Sequence, residues 1–172
     1  RCGPRPFVLG PAQDVPDLRT RKTGVDWPNF LGPAQDSVSP EKGLLAAWPE
    51  GGPPLVWQRP LGEGYAPPAV QKGRLYYAER AGGKIRTVAV RSETGRELWR
   101  FEYDTDYTDL YGYDGGPRCA PVADEDRVYV YGPEGMLHCL SAVAGAVLWK
   151  KDTVAEYKVV HNFFGVGSPP LL

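Results

Sequence analysis

Ala89-Val90-Arg91-Ser92-Glu93-Thr94-Gly95-Arg96-Glu97-Leu98-Trp99 decides how this chain is read. The apolar run 85–90 ends in the turn cluster Glu93-Thr94-Gly95, and the alternating run Glu97-Leu98-Trp99-Arg100-Phe101 begins at once. Runs this short with a period of two predict strands rather than helices. Gly95 stands where a tight turn needs positive φ. Fifty residues on, stretch 139–149 repeats the frame and keeps Gly145, Leu148 and Trp149.

Outward from this hairpin, the same series occurs twice. Ala69-Val70 ends a first strand, Arg74-Leu75-Tyr76-Tyr77-Ala78 forms a second, residues 85–90 a third and residues 97–101 a fourth. The second series runs through 118–122, 127–131, 136–140 and 146–150. A repeat of this length with four strands per unit predicts an all-β propeller built of four-stranded antiparallel blades. The blades are expected at about 66–103 and 118–152, with a further one starting at about 167–172, so that residues 55–172 form a partial ring. Val56-Trp57-Gln58 reads as a fourth strand lacking its first three. A ring of ~4–8 blades needs roughly twice this length or more, so the chain reads as a fragment. Residues 55–59 would then be the outermost strand of the last blade. The isolated piece is expected to associate through its open edges and apolar flanks.

Residues 1–54 read as an irregular Pro/Gly-rich segment, in which residues 39–48 are expected to form a short helix capped by Ser39. The chain holds 21 Gly and 18 Pro in 172 residues, above the ~7% and ~5% of ordinary domains, and turn-rich β structure follows. Twenty Lys and Arg balance 21 Asp and Glu, which argues against nucleic acid as a partner. With a mean hydropathy of −0.39, no apolar run approaches the ~20 residues of a membrane helix. The chain begins at Arg1 without a signal-like segment, and Cys2 is not its first residue, so neither export nor a lipoprotein end can be read directly. Cys119 and Cys139 are expected on first and third strands, about 9–10 Å apart, too far for a disulfide.

Stretch 89–99 resembles the tryptophan-docking motif of PQQ-like (quinoprotein-type) propellers, A-x-D-x-x-T-G-K-x-x-W, with Arg91 in place of the usual Asp. Stretch 139–149 is a degenerate second copy with Ser141 there. The lead-in Asp26-Trp27-Pro28-Asn29-Phe30 with Gly43-Leu44-Leu45 and Trp48-Pro49 is similar to that of bacterial PQQ-like repeat proteins abundant in planctomycetes, which have no assigned activity. The resemblance implies that Trp99 and Trp149 pack between neighbouring blades with Gly95 and Gly145 as structural turn residues, and implies a periplasmic or otherwise extracytoplasmic location. The superfamily also contains quinone-dependent alcohol and sugar dehydrogenases and a non-catalytic lipoprotein scaffold of outer-membrane assembly. A dehydrogenase of this kind would show a vicinal Cys-Cys pair and a calcium-ligating Glu/Asn/Asp set; neither occurs here.

The inter-blade stretch 103–116 offers Asp104, Asp106 and Asp109 as oxygen ligands for calcium. It lacks the Gly and Glu spacing of a calcium loop, and a solvated loop with packed tyrosines is the favoured reading. Arg118, His161 and Asn162 fall at equivalent inter-blade positions. With Tyr107 and Tyr111 they are expected to line one mouth of the channel, where they could hold a carboxylate, a sugar or a peptide; the alternative is that Arg118 pairs with a loop Asp and His161 is an ordinary loop residue. Gly165-Val166-Gly167-Ser168-Pro169 is not a nucleophile elbow, and Gly132-Pro133-Glu134-Gly135 is a hairpin turn with no helix behind it to cradle phosphate. The expectation is a non-catalytic binding or assembly scaffold, with other proteins or a small polar ligand at the mouth and no cofactor in this stretch. PQQ with calcium enters only under the alternative, a dehydrogenase whose active-site residues lie elsewhere.

Overall fold

The structure, a computed structural model, describes residues 12–172; Cys2 lies outside them. Two four-stranded antiparallel sheets follow one another along the chain. The first comprises β1 (Ala69–Gln71), β2 (Arg74–Ala81), β3 (Lys84–Arg91) and β4 (Glu97–Asp104), and the second β5 (Val122–Asp124), β6 (Arg127–Tyr131), β7 (Met136–Ser141) and β8 (Val147–Asp152). Each is a simple meander, and they are two blades of a propeller whose first strands, β1 and β5, lie closest together.

Four elements depart from expectation. Residues 118–121 are not strand; β5 starts only at Val122, after Pro117 and Pro121 have removed two ladder donors. Residues 55–57 and 167–171 are not strands either, because among the described residues no strand runs beside them to complete a ladder. Residues 39–48 are not helical. Gly43 takes a left-handed φ of 81°, and Leu44, Leu45 and Trp48 remain exposed, so no buried face supports a helix. Instead a single helical turn, α1 (Thr153–Tyr157), follows β8, where the Asp152 side chain accepts the Ala155 N–H at 2.9 Å.

Alternation along the strands gives each blade two apolar faces. Tyr76, Ala89 and Trp99 face the second blade and form one core with Ala123, Val128, Val130, Leu140 and Ala142. Tyr77, Val88 and Val90 turn to the opposite flank, where Trp57 and Leu75 cover them. The packing of a tryptophan on a turn glycine occurs twice in the same way, once between the two blades and once on the outer flank of the first. Trp99 lies on Gly145 and donates its indole N–H to the Ala142 carbonyl at 3.0 Å. Trp57 lies on Gly95 and donates to the Ser92 carbonyl at 2.9 Å. In both blades a register shift opposite the fourth strand, at Ala89/Val90 and at Cys139/Leu140, precedes the tryptophan.

Gly145 has φ 66°, and a Cβ there would stand 2.5 Å from the Trp99 ring. Gly83 also has positive φ, 76°, with nothing within 4 Å of such a Cβ. Gly145→Ala should therefore lose about 1–3 kcal/mol through overpacking, and Gly83→Ala only the backbone cost of about 1 kcal/mol. Urea midpoints of the two variants check this; equal losses would mean that Trp99 does not need the glycine.

The turns at 72–73, 92–96, 125–126 and 142–146 share one end of the blades, and residues 13–28 are strapped across it. The Gln13 N–H donates to Asp126 at 2.6 Å, and its side-chain carbonyl accepts from the Ser141 hydroxyl. Val15 enters the inter-blade core, and buried Arg74 donates to the Pro16 carbonyl. Leu18 bonds Lys72, and Thr20 bonds Glu93. Trp27 exchanges backbone hydrogen bonds with Val70 at 2.9 and 2.7 Å, and the Pro28 carbonyl accepts from Ala123. The open edges of both first strands are thus covered by the chain itself.

Candidate functional site

At the opposite end, the β2–β3 turn, the 132–135 turn and the inter-blade loops 105–121 and 158–166 converge. Asp109 organises this end. Its side chain is buried; Oδ1 accepts from the amides of Tyr111 and Tyr113 at 2.8 and 3.2 Å, and Oδ2 from the amide of Asp114 at 2.9 Å. The Asp114 amide foremost, with those of Tyr113, Tyr111 and Gly112, holds the carboxyl below the usual carboxylate range. Arg118 closes the arrangement. Nη2 donates to Asp109 at 3.3 Å and to the Asp114 carbonyl at 3.0 Å, and Nε donates to the Phe164 carbonyl at 2.9 Å. Its guanidinium stacks between the rings of Tyr65 at 5.2 Å and Phe164 at 5.0 Å.

The five residues expected at the mouth do meet on this face, in unequal states. Arg118 is committed to holding loops together. Tyr107 meets the His161 ring edge-on at 6.3 Å, burial pushes its hydroxyl up, and its carbonyl accepts from Arg80 at 2.6 Å. His161 Nε2 donates to the Glu134 carbonyl at 2.9 Å, and Asn162 Oδ1 accepts from the Phe164 amide. Tyr111 alone presents an open side chain, stacked on Tyr113 at 5.8 Å and set against Phe163 and Phe164. Asp104 pairs outward with Lys84, and Asp106 is exposed. Among the described residues no three His, Cys, Asp or Glu side chains gather to hold a metal ion. A cleft of about 470 Å³ opens beside the aromatic face, walled by Glu63, Arg80, Thr108, Asp109, Tyr113 and Asp114.

Three features of this end escape a reading by residue type: Asp109 as loop organiser, the Tyr65–Arg118–Phe164 sandwich, and the half-buried hydrogen bond from Tyr103 to Glu134. The one local signal was Asp109-Leu110-Tyr111-Gly112, a turn sequence whose Gly112 takes φ 65°. Cys119 and Cys139 are both free and buried, and burial pushes their thiols up to about 12 and about 11.

Arg118→Lys would keep the charge but lose the fork and the stack. It should cost about 1–2 kcal/mol and speed amide exchange in 109–114 and 163–166. Hydrogen exchange read by mass spectrometry checks this; unchanged exchange in those segments would remove Arg118 from its organising role.

A family model described as outer membrane protein assembly factor BamB matches residues 82–162, the last two strands of the first blade and all of the second. The quinohemoprotein alcohol dehydrogenase of Comamonas testosteroni superposes on 76% of this chain with a TM-score of 0.55 at 22% identity. Over residues 82–162 the chain is similar to the PQQ-like propeller repeats, and its fold is that of part of such a propeller. The chain spans 20% of that dehydrogenase. BamB from Moraxella catarrhalis matches over 54% of this chain and 24% of its own, at 22% identity and a TM-score of 0.36. The quinohemoprotein alcohol dehydrogenase ADHIIG from Pseudomonas putida HK5 matches over 59% and 15%, at 23% identity and 0.40. No curated protein matches the chain. No helix among the described residues is long and apolar enough to cross a membrane.

Proposed function

We propose that this chain belongs to an extracytoplasmic binding or assembly scaffold, a tryptophan-docked propeller whose loop end receives other proteins or a small polar ligand. The observation that carries this reading is the fixed, exposed aromatic face at that end. Its loops are pinned by a buried aspartate and a stacked arginine, so the face is organised before anything binds and little ordering is left to do on association. Large exposed aromatic patches on soluble proteins mark interaction sites.

A calcium-supported quinone centre does not fit the residues present. Asp109 already accepts from three amides and Arg118, and Cys119 lies in the loop before β5 while Cys139 lies on β7. The likeness to the Comamonas dehydrogenase is one of fold. The full chain, incubated with PQQ and calcium and passed through gel filtration, should keep no quinone absorbance and show no dye-linked oxidation of alcohols or sugars. A retained quinone band with such oxidation would replace the scaffold reading with the dehydrogenase one.

A further inference from the structure

We infer that the loop end takes an extended peptide in which Lys or Arg alternates with aromatic or aliphatic side chains; this rests on the binding-face reading above. The apolar half of the surface is Tyr65, Leu110, Tyr111, Tyr113 and Phe163, exposed by 67, 70, 55, 76 and 61%. These belong to three separate chain segments, held in one face by the Arg118 stack and the rings of Phe163 and Phe164 against Tyr111.

The charge beside this face decides the partner. Arg118 is taken by Asp109, Lys84 by Asp104 and Lys151 by Glu156. The cleft wall then holds the exposed Glu63, and Asp114, whose two oxygens accept from the Gly64 and Gly116 amides but whose charge is paired with no cation among the described residues, against Arg80, whose Nη1 is turned onto the Tyr107 carbonyl. Exposed Asp106 adds a further negative charge between Thr105 and Tyr107. A carboxylate ligand would meet an acidic wall and find the Arg118 fork already occupied. A guanidinium or ammonium group would meet carboxylates on one side and tyrosine faces on the other, both attractive. An extended peptide puts alternate side chains on the two sides, one row for the rings and one for the acidic wall.

The test is fluorescence anisotropy on the full chain with a labelled peptide alternating Arg and Phe. Its Glu/Phe counterpart and cellohexaose serve as the anionic and glycan probes. The surface variants are Tyr111→Ser/Tyr113→Ser and Glu63→Gln/Asp106→Asn, each confirmed as folded by a circular dichroism spectrum matching the parent. The Arg/Phe peptide should bind, weaken with salt, and lose about tenfold in affinity in each double variant. Equal binding of the Glu/Phe peptide, or indifference to both variants, overturns the cationic-peptide assignment and leaves the binding face standing. Tyrosine-dependent binding of cellohexaose alone reassigns the face to glycans. Failure of all three probes overturns both readings.

Discussion

Trp99→Ala is expected to lower the stability of the chain by about 3–5 kcal/mol, as truncation of a large buried aromatic does. Trp99 is 8% exposed. It contacts Tyr76 within its own blade, Gly145 in the next, and a carbonyl there through its indole N–H. Its removal opens a cavity at the joint and leaves the Ala142 carbonyl without that donor. Trp27→Ala should cost clearly less. Trp27 is half-buried, and what it gives to the strap is chiefly its backbone pairing with Val70, which alanine keeps. Urea titration of both variants and the parent decides the matter. With a slope of about 1–3 kcal/mol/M, the Trp99→Ala midpoint should fall by about 1 M or more, and a midpoint equal to the parent's would show that the blades are not joined there.

Acidification from pH 6.5 to 4 should remove on the order of 3 kcal/mol of stability through His138 alone. His138 lies on β7, 3% exposed, with its ring 5.0 Å from Phe101 and 4.7 Å from Tyr103. Lys150 is its partner across β8, and Tyr103 donates at 2.6 Å to Glu134 on the adjoining turn. Burial, with Lys150 adding to it, pushes the imidazole down to about 4. The histidine is therefore neutral in the fold, while the unfolded chain takes up its proton near pH 6.5. The unfolded state binds more protons in this window, so stability is full above about 6.5 and declines as the pH falls toward 4. The depressed carboxyl of Asp109 loses its contribution in a lower window, as the pH drops through its own folded pKa. His138→Phe keeps a ring between Phe101 and Tyr103 and should flatten the upper window; a variant that still lost the same stability between pH 6.5 and 4 would place the effect on another group.

The strands and the repeated Gly–Trp joint were legible because each is a local pattern. Alternation in 74–78 and 127–131, and glycines at 95 and 145, follow from chain periodicity and turn stereochemistry. The elements misread depended on neighbours instead. Residues 55–57 have a strand's composition, but a strand exists only where another lies beside it. Residues 39–48 have a cap and a first turn, yet bury no face. At the loop end, residue types placed Arg118, His161 and Tyr111 on one face. A loop aspartate as the partner of Arg118 was open to reading; that it is Asp109, with two carbonyls besides, was not, because it depends on how the 109–114 backbone folds around a single carboxylate. The strap was invisible for the same reason: Val15 and Gln13 carry no periodic signal, and their partners lie on distant turns.

That strap also imposes an order on biosynthesis. Gln13 leaves the ribosome before its hydrogen-bond partners Asp126 and Ser141, which lie 113 and 128 residues further along the chain. At ~5–20 residues per second, the segment waits roughly 6–26 s before a docking place for it exists. The first blade can close its own hairpins during that interval, since their contacts are local. Val15 packs into a core that both blades supply, so the strap latches after the two blades have joined.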